Sequence, residues 1–378
     1  MAKILYVATS DLHLAAFHRP YIQWLADRGH RVDIAIEKRG DAEFTGLNAV
    51  HHMAFPRRLR GRDLLTTYRR LKALVDREHY DVIHCHTPIP SALVRLAARH
   101  ARRRGTKVMY TAHGFHFYRG APAAYWLTYF PVEFLLAKIT DALVVVNRED
   151  YYQAHRLLRH SNVRLIRGNG SDHLRFRPRS SEECAAIRRR NGWREDDFLA
   201  LYIAEMIPRK DHAFILQALP ELKRRMPRLK VLFAGTGRLV EQLRREAERL
   251  QVADVVEFLG FRTDVHELCA VADLGISASR HEGLANGVVQ QMMCGVPVVA
   301  TLDRGHDEAI SHGWNGFLFP KRSQRHFIDQ VSYMHDRPAR RQAMGEAARQ
   351  GTEKFRLDGV LASMAEIYDE FLPRPTAR

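Results

Sequence analysis

The sequence of 378 residues contains little cysteine and lacks a long uncharged apolar run. Its four cysteines, Cys85, Cys184, Cys269 and Cys294, show no pair spacing. We therefore expect no disulfides and a reducing, cytoplasmic setting. The longest candidate for a membrane span, residues 121–146, is interrupted by a central proline and by charged residues, whereas a spanning helix needs about 20 largely uncharged residues. The sequence thus predicts no membrane-spanning helix.

Acidic residues are scarce relative to basic ones. The chain has 43 aspartates and glutamates against 59 lysines and arginines, which gives a formal net charge of +16. This surplus favours an anionic partner: nucleic acid, an anionic membrane face or a phosphorylated substrate. The sequence has no zinc-finger or RNA-recognition motif, and its cations are not interleaved with aromatic residues. We therefore expect no nucleic-acid partner.

Strand-like apolar segments alternate with helix-length segments in two successive series. The first series has strands at residues 3–8, 32–36, 80–86, 107–112 and 141–146, and the second at 198–204, 230–234, 255–258, 274–278, 296–300 and 317–319. This alternation predicts two α/β domains, each a doubly wound parallel sheet with ligands at the carboxyl ends of its strands. Glycines and a proline between residues 168 and 178 indicate the boundary. We predict domains at 1–170 and 171–354, and a terminal helix at 355–378 that returns to the first domain.

The segment from Ser277 to Ala300 is the most informative part of the chain. It has the pattern of a strand, a loop opened by Glu282 and bracketed by glycines, a short helix and a second strand. A helix N-terminus presents unpaired N–H groups and the positive end of the helix dipole, so this loop is suited to a phosphate. Seven residues separate Glu282 from the polar residue Gln290.

This spacing resembles the E-x7-E element of the retaining, family 4 glycosyltransferases, which have the GT-B fold of two Rossmann-like domains facing a central cleft. One position departs, because Gln290 stands where the family has its second glutamate. Other strings extend the resemblance over nearly the whole chain: T-A-H-G-F-H-F-Y from Thr111, P-R-K-D-H from Pro208, A-G-T-G from Ala234 and F-L-G-F-R from Phe258.

The resemblance is closest to enzymes that build capsule, exopolysaccharide or lipid-linked oligosaccharide chains. It implies retaining transfer of a hexose or N-acetylhexosamine from a nucleotide diphosphate sugar, expected to be UDP-linked, to a lipid-linked saccharide acceptor. It also implies that neither a metal nor another cofactor takes part. Two alternatives stay open: a nucleotide-sugar epimerase of the same architecture, and a donor-binding partner subunit with low activity.

The resemblance also implies roles for individual residues. Lys210 grips the donor diphosphate with Arg209 as a second cation, Glu282 is a catalytic residue that holds the sugar hydroxyls, and Gln290 accepts from the ribose. Further donor contacts are expected from the loop after Glu282 and from two loops near the nucleotide: Gly283, Leu284, Ala285, Asn286 and Gly287, then Gly235, Gly260, Phe261 and Arg262.

Several histidines of the first domain are candidate site residues. His113 follows a predicted strand and resembles the family histidine beside the donor sugar, so we predict a catalytic role for it. His13 and His86 are predicted on the acceptor side. Alternation along a strand would place His84 and His86 on one face as a pair of metal ligands. No third ligand is spaced to complete that pair, and we expect no metal.

Arginines cluster in the first domain, at Arg57, Arg58, Arg60 and Arg62. The following segment, residues 64–75, has an apolar helical face beside these cations, a pattern compatible with an anionic membrane surface. We expect peripheral association with the inner face of the cell membrane through this region. A solvated basic surface is the alternative.

Overall fold

The computed structural model describes residues 1–55 and 61–372. The chain divides into two compact units: unit 1 holds residues 1–169 together with the segment from Asp358 onwards, and unit 2 holds Gly170–Leu357. Within the described ranges, no helix is both long enough and apolar enough to cross a membrane.

Unit 1 is built on a parallel sheet of seven strands in the order β3-β2-β1-β4-β5-β6-β7. Its strands and helices, in chain order, are β1 (Lys3–Ser10), α1 (Asp11–Phe17), α2 (Arg19–Asp27), β2 (Arg31–Glu37), β3 (Ala49–His52), α3 (Arg62–Glu78), β4 (Val82–His86), α4 (Pro88–Ala97), α5 (Arg99–Arg103), β5 (Lys107–Ala112), α6 (Ala123–Ala137), β6 (Ala142–Val145), α7 (Arg148–Arg156) and β7 (Val163–Leu165). Helices cover both faces of the sheet, which is why its central strands are almost continuous apolar runs.

Unit 2 contains a six-stranded parallel sheet in the order β10-β9-β8-β11-β12-β13. Its elements are α8 (Ser181–Arg190), β8 (Phe198–Ile203), α9 (His212–Arg225), β9 (Leu229–Ala234), α10 (Val240–Arg249), β10 (Val256–Gly260), α11 (Val265–Val271), β11 (Leu274–Ser277), α12 (Asn286–Met293), β12 (Val298–Thr301), α13 (Arg304–Asp307), β13 (Gly316–Phe319), α14 (Gln324–Asp336) and α15 (Pro338–Gly351). Short 3-10 turns lie at Pro208–Lys210 and Glu353–Phe355. The predicted fold class, two doubly wound α/β domains, is confirmed.

The last helix, α16 (Leu357–Asp369), packs on the sheet of unit 1. Its buried Tyr368 places its hydroxyl 2.5 Å from Nδ1 of His84 on β4, and it also hydrogen-bonds the hydroxyl of Tyr6 on β1. Polar groups of the first sheet are therefore satisfied by residues from the far end of the chain.

The apolar face of α3 belongs to the core of unit 1. Leu71, Leu74 and Val75 are buried in it, and only Leu65 on this helix is a largely exposed apolar residue. The expectation that this face lies on a membrane is therefore wrong, because core packing already covers it. A period of 3.6 residues indicates an apolar stripe but does not tell what the stripe contacts.

Candidate active site

Three segments that follow neighbouring strands of unit 2 meet around one carboxylate, that of Glu282. The 3-10 turn after β8 supplies two cations: Nη1 of Arg209 lies 2.9 Å from Oε2 of Glu282, and Nζ of Lys210 contacts Oε1. Because β8, β11 and β12 are adjacent and parallel, their carboxyl ends bring these segments to one edge of the sheet. The structure thus brings together three of the predicted donor-site residues.

Glu282 is a buried charge whose partners keep it ionised. Its exposed fraction is only 6%. Burial alone would raise the pKa of this carboxyl, but the charges of Lys210 and Arg209 outweigh that effect and lower the pKa to about 2. Two cations around one carboxylate leave a net positive charge in the site at neutral pH. Such a site is suited to an anion.

The turn that carries the cations is fixed by its neighbours. The hydroxyl of Tyr202 on β8 donates to the carbonyl oxygen of Lys210 over 2.6 Å. Asp211 adopts a left-handed conformation with φ of 52° and pairs with Nε of Arg280 over 2.6 Å. These contacts hold the side chains of Arg209 and Lys210 against the loop that follows β11.

The backbone of Glu282 is held by a residue to which no role was assigned from the sequence, Asp303. Its Oδ2 accepts from the N–H of Glu282 at 2.8 Å and from the N–H of Gly305 at 3.1 Å, so Asp303 also caps α13. A Cβ on Gly305 would lie 2.5 Å from Cβ of Glu282. Only glycine lets α13 approach this closely.

A second residue without a predicted role, His306, joins the ends of β11 and β12. Its Nδ1 lies 2.8 Å from the carbonyl oxygen of Thr301 and its Nε2 lies 2.9 Å from Oγ of Ser277. Nδ1 therefore carries the proton and donates, while Nε2 accepts from the serine hydroxyl. Burial lowers the pKa of His306, so the ring supports the site as a neutral imidazole.

The loop after Glu282 leads directly into α12. This helix begins at Asn286, and its N-cap residue, Ala285, offers no side-chain hydrogen bond to the first turn. A Cβ on Gly287 would lie 2.9 Å from the carbonyl oxygen of Ile203, so the helix start approaches the end of β8 closely. Gln290 is half-buried on α12, and its side chain hydrogen-bonds no other residue in the described parts of the chain.

The Gly-Thr-Gly loop packs on the chain just after β8. Gly235 and Gly237 have φ of 151° and 155°, and a Cβ on them would lie 2.1 Å from the carbonyl oxygen of Ala204 and 2.5 Å from that of Met206. Both positions therefore require glycine for close backbone packing. The close backbone packing explains both glycines without a ligand.

The remaining predicted donor residues lie after β10. Gly260 is in a left-handed conformation with φ of 67°, and the side chain of Phe261 is 78% exposed. Arg262 is engaged within its own unit, 2.6 Å from Oδ2 of Asp264 and 3.1 Å from Oδ1 of Asn191. Phe261 has an apolar ring available to a planar ligand, whereas Arg262 is already paired.

In unit 1 the predicted histidines gather around a further histidine that has no motif in the sequence, His18. His13 of α1, His86 at the end of β4 and His113 after β5 surround His18, which separates α1 from α2. His84 is not part of a ligand pair with His86, because Nδ1 of His84 hydrogen-bonds Tyr368 and its Nε2 lies 2.7 Å from Oγ1 of Thr111.

Of the predicted basic run, Arg57, Arg58 and Arg60 lie outside the described residues. Arg62 is exposed and opens α3. An exposed apolar face exists elsewhere in unit 1, on α6, where the exposed fractions of Leu127 and Leu135 are 77% and 61%.

Comparison with known proteins gives concordant matches. A model of the glycosyl transferases group 1 matches residues 184–351, and a glycosyl transferase 4-like model matches residues 3–147. The chain is 38% identical over 375 residues to the "Putative glycosyltransferase EpsD" of Bacillus subtilis. The match covers 99% of this chain and 98% of the relative.

More distant relatives agree. Identity is 23% over 280 residues with the UDP-Gal:alpha-D-GlcNAc-diphosphoundecaprenol alpha-1,3-galactosyltransferase of Escherichia coli, covering 73% of this chain and 70% of that protein. The crystal structure of Anabaena Alr3699/HepE in complex with UDP and glucose superposes with a TM-score of 0.81 at 21% identity, covering 98% of this chain and all of that one. At 21% identity the match to HepE bears on the fold alone.

Proposed function

The chain belongs to the group 1, family 4-like glycosyltransferases of the GT-B fold, and from this premise we propose that it is a retaining, metal-independent enzyme acting on a nucleotide diphosphate sugar. The sugar is a hexose or N-acetylhexosamine carried by UDP, and the acceptor is a lipid-linked saccharide in the synthesis of a surface polysaccharide. The observation that carries this proposal is the contact of Lys210 and Arg209 with the buried Glu282.

The chemistry requires charge neutralisation at the leaving group. The hydroxyl of the acceptor attacks the anomeric carbon as the bond from that carbon to the diphosphate oxygen breaks. The electron pair of the broken bond stays on the diphosphate, which accepts the hydroxyl proton on the same face of the sugar. Lys210, Arg209 and the start of α12 would stabilise the growing negative charge. This assignment requires no protein nucleophile.

We assign the remaining predicted residues by the same chemistry. Glu282 accepts hydrogen bonds from sugar hydroxyls, and His113 hydrogen-bonds the sugar next to the reacting carbon. Phe261 offers its exposed ring to the base. UDP as carrier is supported by the UDP-Gal donor named for the E. coli relative. That relative's diphosphoundecaprenol acceptor supports a lipid-linked acceptor.

The test is a transfer assay with UDP-sugars and polyprenyl diphosphate saccharides, followed by nuclear magnetic resonance of the new glycosidic bond. The proposal predicts an α-linked product from an α-linked donor and undiminished transfer in a metal chelator. An inverted linkage or dependence on added metal would contradict it. Isomerised UDP-sugar in the absence of acceptor would favour the epimerase, and UDP-sugar binding without turnover would favour the low-activity subunit.

Gln290, which stands in place of the family's second glutamate, is the observation that favours the low-activity subunit as a second candidate function. We expect Gln290→Glu to tighten UDP binding about fivefold, because a charged acceptor binds a ribose hydroxyl by about 1 kcal/mol more than a neutral one. Isothermal titration calorimetry of both proteins with UDP measures this. Gln342→Glu, which adds the same charge at an exposed position of α15, is the control and should not change the affinity. Equal or weaker binding by the Gln290 variant would remove the ribose contact from the proposal.

Peripheral membrane binding is also part of the proposal, with α6 as the apolar contact. One side of α6 packs on the core of unit 1 through aromatic residues, while Leu127 and Leu135 remain exposed. Exposed cations lie near both ends of the helix, at Arg119 and Lys138. An apolar face flanked by cations fits an anionic lipid surface.

We expect Leu127→Glu with Leu135→Glu to lower binding to phosphatidylglycerol vesicles at least about tenfold, since each buried leucine contributes about 1.5–3 kcal/mol. Flotation of the protein with such vesicles measures the bound fraction. The control is Leu174→Glu, an equally exposed leucine of unit 2, which should leave flotation unchanged. A double variant that floats like the unmodified protein would exclude α6 as the contact.

A further inference from the structure

Three histidines from separate segments of unit 1 converge on one point. His13 belongs to α1, His18 lies between α1 and α2, and His113 follows β5. One ring nitrogen from each lies within 4.8 Å of the other two. The ring centroids are 5.4 Å apart for His13 and His18, 5.2 Å for His18 and His113, and 5.4 Å for His13 and His113. The three rings therefore surround a common centre.

The nitrogens of this cluster are poorly satisfied by the protein itself. Nε2 of His13 and Nε2 of His18 are buried without a hydrogen-bond partner in the described residues, and His18 is almost completely buried. The nearby His84, by contrast, has both ring nitrogens in hydrogen bonds. Buried polar atoms are normally paired, so two unpaired ring nitrogens within a cluster of three histidines indicate a missing ligand.

We propose that His13, His18 and His113 bind a divalent transition-metal ion of the zinc class. In a tetrahedral zinc site the ligating nitrogen of each histidine lies about 2.0–2.1 Å from the ion. Two rings bound in this way have their centroids about 5.2 Å apart. The observed separations of 5.2–5.4 Å match this value.

The cluster also has the protonation state and the support that such a site needs. Burial lowers the pKa of His13 to about 4 and lowers those of His18 and His113 as well, so the rings are neutral at neutral pH. Nδ1 of His86 lies 3.3 Å from Nε2 of His113 and orients that ring from outside the set. Three protein ligands leave the fourth position open to an oxygen ligand such as water or a hydroxyl.

The ion has a functional consequence that rests on the proposed function. His113 is assigned there to the donor sugar. With one ring nitrogen on the metal and Nε2 next to Nδ1 of His86, this imidazole has no nitrogen left for a sugar hydroxyl. Bound zinc therefore lowers sugar transfer, and the ion is a regulator of this enzyme rather than part of its chemistry. This consequence concerns turnover only, whereas metal binding is measured on the protein without any substrate.

The experiment uses tag-free, chelator-treated full-length protein and Co²⁺ as a spectroscopic probe, followed by displacement with Zn²⁺. We expect one Co²⁺ per chain with the visible absorption of a tetrahedral site. His13→Asn and His113→Asn should each lower the affinity at least about tenfold. His52→Asn removes an exposed histidine of β3 and should change nothing.

X-ray absorption of the zinc-loaded, unmodified protein does not depend on the folding of a variant. It should count three imidazoles at about 2.0 Å from the metal. Absence of stoichiometric Co²⁺ and Zn²⁺ binding by the unmodified protein, or fewer than three imidazoles, would overturn the site. Loss of sugar transfer alone would not overturn the site, because Co²⁺ binding and X-ray absorption are both measured without a donor. Tight zinc binding without inhibition of an active enzyme would leave the site intact and refute the regulatory consequence.

Discussion

Replacing Lys210 with alanine is expected to lower kcat/KM for the donor about ten- to a hundredfold. A charge-assisted hydrogen bond contributes about 1.5–3 kcal/mol, and Lys210 is the more enclosed of the two cations that contact Glu282. Its loss also removes one of the two ion pairs of the buried Glu282 carboxylate and leaves the pair with Arg209. Steady-state kinetics with a UDP-sugar measures the change.

Two control variants separate charge from general destabilisation. Lys210→Arg keeps the charge and should recover part of the activity. Lys230→Ala removes a lysine at the amino end of β9, whereas the site lies at the carboxyl ends of the strands. This variant should retain full activity. If Lys210→Ala turned over like the unmodified enzyme, the diphosphate would have to bind elsewhere.

Replacing Glu282 with glutamine is expected to preserve UDP binding but to lower kcat. The side chain keeps its shape but loses its charge, so Lys210 and Arg209 are no longer neutralised and UDP should bind as tightly as before or more tightly. The sugar hydroxyls lose a charged acceptor, and kcat should fall about a hundredfold if that bond strengthens in the transition state by about 3 kcal/mol. Calorimetry with UDP and single-turnover kinetics measure the two effects.

The control for this variant is Glu241→Gln, which removes an exposed carboxylate from the first turn of α10. It should change neither quantity. Weaker UDP binding by the Glu282 variant would mean that the carboxylate chiefly holds the cations in place. An unchanged kcat would remove Glu282 from the reaction.

The sheets could be predicted from the sequence because parallel strands covered on both faces are continuous apolar runs. The two edge strands of unit 1, β3 and β7, were not predicted. They have four and three residues, of which only Val163 is buried, so neither shows a long apolar run. The sequence predicts the apolar stripe of α3 but not what the stripe contacts, since a stripe packed on a core and one packed on lipid have the same period.

The candidate site divides in the same way. The resemblance gives Lys210 and Glu282 a role, whereas Asp303 and His306 act through contacts across neighbouring strands. Asp303 had one recognisable signal, since aspartate before a short helix is a common N-cap. The cluster of His13, His18 and His113 has no signal in spacing, because His113 lies 95 positions after His18 and only the strand order of the sheet brings them together.

The central claim is that the diphosphate of a nucleotide sugar lies on Lys210, Arg209 and the start of α12. The most direct test is a crystal structure of the protein with a UDP-sugar bound. We predict diphosphate oxygens within hydrogen-bonding distance of Nζ of Lys210 and of the backbone N–H groups around Asn286. A diphosphate held anywhere else, or Lys210 still paired only with Glu282 while the nucleotide is bound, would contradict the claim.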